Sequence, residues 1–192
     1  QVVAFGELIS THIISGYLNA AGTSNRWLDA REFVVTNDTY RDARIQWQQT
    51  ESNISHLVAD GKLKDGINLV QGFIGRDASS GNTTTLGREG SDFTASIFAY
   101  CLGAADVTIW KDVPGVLNAD PKLFPFAEKI DELSYEEAVE MTYYGASVIH
   151  PKTIKPLQNK GIRLYVRSFL QPEQHGTVIR QIDEQRKFPA CI

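Results

Sequence analysis

The chain has 192 residues, 42% hydrophobic and 22% charged, which suits one soluble domain with a sizeable core. A formal net charge of −4 gives no basic face to neutralise phosphates, so no nucleic-acid partner is expected. Neither a signal-peptide pattern nor an apolar run of roughly 20 residues occurs, so no membrane partner is expected either.

In chain order, Gln1 opens directly on Val2-Val3-Ala4-Phe5, and Lys187 to Ile192 ends on an apolar residue. The chain therefore reads as cut from a larger protein at both ends. Leu8, Ile9, Ile13, Ile14, Tyr17 and Leu18 recur at helical spacing, with Gly22 as the stop. Glu32 to Thr36 reads as a short strand before the turn residues Asn37-Asp38, and Glu51 to Ala59 as a helix. Asn68 to Gly75 reads as a buried strand, and Arg76 to Asn82 as a mobile surface segment. A helix follows over Ser91 to Leu102, with Ser91 as its N-cap. Asp106 to Trp110 is a strand, and Ser134-Tyr135-Glu136-Glu137 has the form of a capping box opening a helix that stops near Gly145. Pro151 suits the first turn of another helix, ending near Gly161. Leu164 to Ser168 is a strand, and Thr177 to Ile179 a short one. This alternation predicts an α/β fold on a mainly parallel sheet, with ligands beyond the carboxyl ends of the strands. Cys101 and Cys191 are far apart and read as reduced thiols of a cytoplasmic protein.

Three segments carry candidate chemistry. Thr83-Thr84-Thr85-Leu86-Gly87-Arg88-Glu89-Gly90-Ser91-Asp92-Phe93 is a two-glycine loop leading into a helix N-terminus, where oriented N–H groups and the dipole favour an anion. Arg88 adds a planar fork for a carboxylate or phosphate, and Asp92 lies in the first helical turn. A capped helix with an Arg–Asp surface pair explains the same residues about as well. Lys111 to Lys122 (KDVPGVLNADPK) follows an apolar strand, with lysines at both ends that could approach phosphates. Taken alone, it reads more readily as a solvated turn. In Tyr144 to Pro151, small residues allow close approach of a ligand, while His150 before Pro reads as a helix lead-in. Four scattered histidines and two distant cysteines give no metal-ligand spacing. The phosphate-loop and nucleophile-elbow motifs are absent.

Taken in order, FGELIST, GFIG, TTTLGREGSDFTA, IWKDVPGVLNADP, YGASVIHPKT and HGTVI resemble the aspartokinase family of amino-acid kinases across nearly the whole chain. That resemblance implies a three-layer αβα sandwich, with residues 1–180 as the ATP- and aspartate-binding portion of the kinase domain. Residues 181–192 would begin a linker to a regulatory region. It implies transfer of phosphate from ATP, carried with Mg²⁺, to L-aspartate as the first step of lysine, threonine and methionine biosynthesis, in a homo-oligomer. For the substrate it implies Glu7 at the ammonium, Phe73 lining the pocket, Arg88 on a carboxylate with Ser91 in support, and Asp92 organising the phosphate-binding lysines as the catalytic residue. Around the nucleotide it implies Lys111, Asp112, Leu117, Lys122 and Ser147, with no protein metal site. Four positions depart from the family pattern. Glu89 stands where glycine is frequent, Leu117 for tyrosine, Lys122 for arginine, and Ser147 for a nucleotide-contacting lysine. The family's Lys-Phe-Gly-Gly motif and its ACT domains are not in the sequence, so this chain alone is expected to be inactive. A glutamate-type kinase of the same fold and a non-catalytic ligand-sensing module are the alternatives.

Overall fold

The structure, a computed structural model, describes residues 2–63, 65–143 and 148–182. It divides into two compact units, residues 1–102 and residues 103–192. The fold is mixed α/β, and four of its six described strand pairings are parallel.

In the first unit, helix α1 (Val2–Ala20) ends just before Gly22, whose φ of 81° closes it as expected. Strand β1 (Asn25–Leu28) pairs in parallel with β3 (Ile67–Val70), from Asn25 opposite Ile67 to Leu28 opposite Val70. Of the strand expected over Glu32 to Thr36, Glu32 and Phe33 belong to a helical turn, α2 (Ala30–Phe33), and β2 (Val35–Thr36) is the part that forms. Asp29 is the reason: its carboxylate accepts the Arg31 backbone N–H at 3.0 Å and so caps the turn. Burial pushes the Asp29 carboxyl up, but its hydrogen bonds with Arg31 outweigh that and hold it below the usual carboxylate range.

Helix α3 (Trp47–Ala59) starts four residues earlier than the apolar spacing indicated. The single strand expected over Asn68 to Gly75 is broken at Gly72-Phe73 into β3 and β4 (Ile74–Asp77). β4 turns back antiparallel as β5 (Thr83–Thr85), with Ile74 opposite Thr85. The segment read as mobile is a tight turn between them. The Asp77 carboxylate accepts from the Ser80 hydroxyl at 2.6 Å, the Ser80 N–H at 2.7 Å and the Ser79 hydroxyl at 2.8 Å, which holds it far below its ordinary range. Helix α4 (Gly90–Leu102) then packs on α3. The core here is Leu28, Phe33, Val34, Ile54, Leu57, Leu86 and Ile97. Cys101, near the end of α4, is in no disulfide among the described residues, and Cys191 lies outside them.

The second unit holds a four-stranded sheet in the order β6-β8-β9-β7. β6 (Asp106–Lys111) and β8 (Arg163–Ser168) are parallel over six residues, and β8 is antiparallel to β9 (Thr177–Arg180). β7 (Glu132–Ser134) lies parallel on the other side of β9. The capping box that opens α5 (Tyr135–Tyr143) forms reciprocally. The Ser134 N–H donates to Glu137 Oε2 at 2.6 Å, and the Glu137 N–H donates to Ser134 Oγ at 3.1 Å. Ser134→Ala is therefore expected to cost about 1 kcal/mol of stability, readable as a shift of the urea midpoint at unchanged m-value. Helix α6 (Pro151–Lys160) begins on His150, whose Nδ1 accepts the Lys152 N–H at 3.1 Å, and ends on Gly161 at φ 64°. His150 is thus a structural lead-in, as its place before Pro151 implied. The expected stop near Gly145 and the linker from 183 onward lie outside the described residues.

Candidate functional site

In the first unit, Phe73, Ser91 and the segment that bears Arg88 and Asp92 lie where β3 breaks, at the carboxyl ends of the parallel pair β1–β3. Phe73 sits at the break with φ 69°, a left-handed conformation costly for an aromatic residue. Two hydrogen bonds hold it there. Its N–H donates to Thr94 Oγ1 at 3.0 Å, and its carbonyl accepts the Leu86 N–H at 2.9 Å. Thr94, fully buried in α4, in turn donates to the Gly90 carbonyl at 2.9 Å. One threonine therefore locks the β3–β4 break to the first turn of α4.

Glycines let these backbones touch. A Cβ on Gly72 would lie 2.7 Å from Ser91 Cβ, and one on Gly90 would lie 2.6 Å from the Phe73 ring. Ser91 is not the N-cap. Gly87 at φ 78° and Glu89 at φ 53° turn the chain so that α4 begins at Gly90, leaving Ser91 as its second residue. There it is exposed at the helix end, hard against Gly72. Asp92 is half-buried in the same first turn, where the dipole favours its charge. Arg88 is exposed in the turn before it and makes no ion pair among the described residues, so the Arg–Asp surface pair of the alternative reading does not form. Glu89 is half-buried, and its Oε2 is buried without a hydrogen-bond partner.

Glu7 is half-buried on α1. Leu8, the residue after it, packs with Phe73 in one cluster with Ala4, Ala30 and Ile74. The register of α1 is fixed by Thr11, whose hydroxyl donates to the Glu7 carbonyl at 2.8 Å and accepts from Gln71 Nε2 and Trp27 Nε1, each at 3.1 Å. Gln71 is fully buried; its Oε1 accepts the Ala30 N–H at 2.8 Å and its Nε2 also donates to the Leu28 carbonyl at 3.1 Å. Thr11, Gln71 and Thr94 are thus positioning residues that the sequence reading missed. Polar residues inside apolar runs were the available signal, because a buried amide in a strand must find partners.

In the second unit, Lys111 ends β6 and Asp112 follows it, at the carboxyl ends of β6 and β8. The Lys111 carbonyl accepts the Phe169 N–H at 2.9 Å, and the Arg167 guanidinium lies 4.9 Å above the Trp110 ring. The segment after Gly115 is pinned to β9 by Thr177, whose Oγ1 accepts the Val116 N–H at 2.8 Å and donates to the Ile130 carbonyl at 2.6 Å. Leu117, half-buried, opens a hairpin-like excursion that returns at Lys129. Lys122 is exposed on the Asp120 turn, where Asp120 Oδ1 accepts its N–H at 2.9 Å. Ser147 lies outside the described residues. An apolar cavity of about 10 Å³ among Val116, Leu133, Met141 and Ile179 is too small for a nucleotide. No group of three or more His, Cys, Asp or Glu among the described residues is arranged to hold a metal.

Residues 1–168 match the model of the amino acid kinase family. Aspartokinase 2 of the Arabidopsis thaliana chloroplast is 36% identical over 187 residues, 97% of this chain and 34% of its own length. Lysine-sensitive aspartokinase 3 of Escherichia coli K12 is 37% identical over 179 residues, 93% of this chain and 39% of its own. The solved structure of E. coli aspartokinase III in complex with aspartate and ADP superposes with a TM-score of 0.89 at 37% identity, covering 95% of this chain and 40% of that one. The chain thus spans between a third and two fifths of these relatives' lengths.

Proposed function

The chain belongs to the amino acid kinase family, and from that premise we propose that its protein phosphorylates the side-chain carboxylate of L-aspartate with ATP. The carrying observation is the agreement of fold and sequence with a solved aspartokinase that holds aspartate and ADP. The product is 4-phospho-L-aspartate, the opening step of lysine, threonine and methionine biosynthesis, made in the cytoplasm.

In this reading a β-carboxylate oxygen attacks the γ-phosphorus, the bond to the β,γ-bridging oxygen breaks, and ADP leaves with that electron pair. The carboxylate is already ionised, so no protein nucleophile or base is needed, and positioning with charge neutralisation carries the catalysis. Arg88 clamps a substrate carboxylate; its exposure, with no ion pair to it among the described residues, supports this. Glu7 meets the ammonium, with Phe73 and Ser91 bounding the pocket, and the packed contacts around Gly72, Phe73 and Gly90 support that rigidity. Asp92 orients the groups that meet the phosphates. For the nucleotide the reading takes Lys111, Asp112, Leu117, Lys122 and Ser147. Mg²⁺, carried with the nucleotide rather than held by a protein site, would supply positive charge at the phosphates.

The test is hydroxylamine trapping of the acyl phosphate made by the full-length protein with Mg-ATP and either aspartate or glutamate. Aspartate is expected to be preferred at least tenfold in kcat/KM, as one methylene discriminates by about 1–3 kcal/mol. Preference for glutamate, or aspartate binding without turnover, would reject the assignment.

A further inference from the structure

The second unit holds a fully buried threonine whose hydroxyl is used twice. Thr177 opens β9 opposite Val166, near the carboxyl end of β8. Its Oγ1 accepts the Val116 N–H at 2.8 Å and donates to the Ile130 carbonyl at 2.6 Å. Val116 and Ile130 are the two arms of the excursion that leaves at Leu117 and returns at Lys129, and the Ile130 N–H closes them on the Val116 carbonyl at 2.9 Å. Glycines bring these segments together. A Cβ on Gly115 would lie 2.5 Å from Thr177 Oγ1, and one on Gly176 would lie 2.0 Å from the Val166 carbonyl oxygen. Lys129 ties the returning arm a second time, its Nζ donating to the Gly176 carbonyl at 2.9 Å. Both arms are thus fastened to the Gly176-Thr177 step. The hydroxyl satisfies a donor and an acceptor that are sheltered from water, as a backbone ladder does elsewhere.

The far end of the excursion stands in solvent. Leu123 and Phe126 are 72% and 93% exposed, so its direction is set at the base. Lys122 lies five residues beyond Leu117, at most about 17 Å along the chain. A tilt of about 10° at the base carries it up to about 3 Å, enough to break a hydrogen bond. We propose that Thr177 is a positioning residue for the nucleotide, its hydroxyl fixing the angle at which the excursion presents Leu117 and Lys122. This deepens the kinase reading above and rests on its assignment of those two residues to ATP.

Calorimetric titration of the full-length protein with Mg-ADP tests the role without turnover. Thr177→Val keeps the branched shape and loses the hydroxyl. It is expected to weaken ADP binding about tenfold and to raise the KM for ATP alike, while the KM for aspartate stays unchanged. Thr177→Ser keeps the hydroxyl and is expected to bind ADP within about twofold of the unsubstituted protein. Gly115→Ala strikes the same junction from the other side and is expected to match Thr177→Val. Ser134→Ala is the stability control, since it loosens the same unit at the α5 cap, and its ADP affinity is expected not to change. Unchanged ADP affinity in a folded Thr177→Val protein overturns the proposal, and so does equal weakening by Ser134→Ala. Should Thr177→Val fail to fold, Gly115→Ala carries the test, and normal ADP affinity there overturns it too. Absence of ADP binding by the unsubstituted protein rejects the nucleotide assignment itself, and the proposal with it.

Discussion

Arg88→Ala in the full-length protein is expected to lower kcat/KM for aspartate by about 10²–10⁴-fold, mainly through KM, with no change in Tm. The magnitude follows from losing two charge-assisted hydrogen bonds to one carboxylate, each contributing about 1.5–3 kcal/mol. Stability is spared because Arg88 is exposed and has no ion pair among the described residues to lose. Arg88→Lys separates charge from geometry. It keeps the cation and loses the planar fork, so an intermediate loss is expected. Steady-state kinetics on both variants beside a thermal melt decides the matter. Unchanged kcat/KM in the alanine variant would remove Arg88 from the site.

Asp92→Asn is expected to do the reverse, lowering kcat by about 10²-fold or more while KM for aspartate moves little. A carboxylate that holds the cationic groups meeting the phosphates is felt chiefly in the transition state, where losing one stabilising group costs about 10²–10³ in rate. The fold should tolerate the change. Asn keeps the shape, and the loss of a favourable dipole interaction in the first turn of α4 costs only about 0.3–1 kcal/mol. Measuring kcat and KM separately, with circular dichroism melts, distinguishes this role from a structural one. A variant that unfolds several degrees earlier and turns over normally would make Asp92 a helix-end residue and nothing more.

What could be read from the sequence was what local chemistry fixes. The Ser134–Glu137 box, the His150-Pro151 entry to α6 and the Gly161 exit each depend on residues within a few positions of one another. The strand at Asp106 was legible because its apolar run is bounded on both sides. Asn25–Leu28 passed unnoticed because its polar start fits a strand only once Ile67–Val70 lies beside it. Glu32 and Phe33 looked extended by composition, yet the Asp29 cap three residues upstream turned them helical. The period of α1 announced a helix without saying which side faces inward. Its most apolar side proved to be the open one, because Thr11 and Ser15 make the inward bonds, to Gln71 and Asn25. For the site, Arg88 and Asp92 were visible as charges at a glycine loop. The locking of Phe73 by Thr94 was not, since it joins segments 21 residues apart through one hydroxyl.

The order β6-β8-β9-β7 has a consequence for how the second unit is made. The two strands at the rim of this sheet, β6 and β7, are synthesised first, and the two at its centre last. On a ribosome, Asp106–Lys111 emerges well before Arg163–Ser168, its only described neighbour in the sheet, exists. β7 likewise waits for Thr177–Arg180. Both leave the tunnel with unpaired backbone groups and an apolar side, held open through the time taken to translate α5 and α6. The β8–β9 hairpin is the first pairing available by proximity, and it captures a waiting strand on each flank. This half of the molecule therefore assembles from the middle outward and late, so that a pause in translation before Arg163 prolongs the interval in which it is open to chaperones or to aggregation.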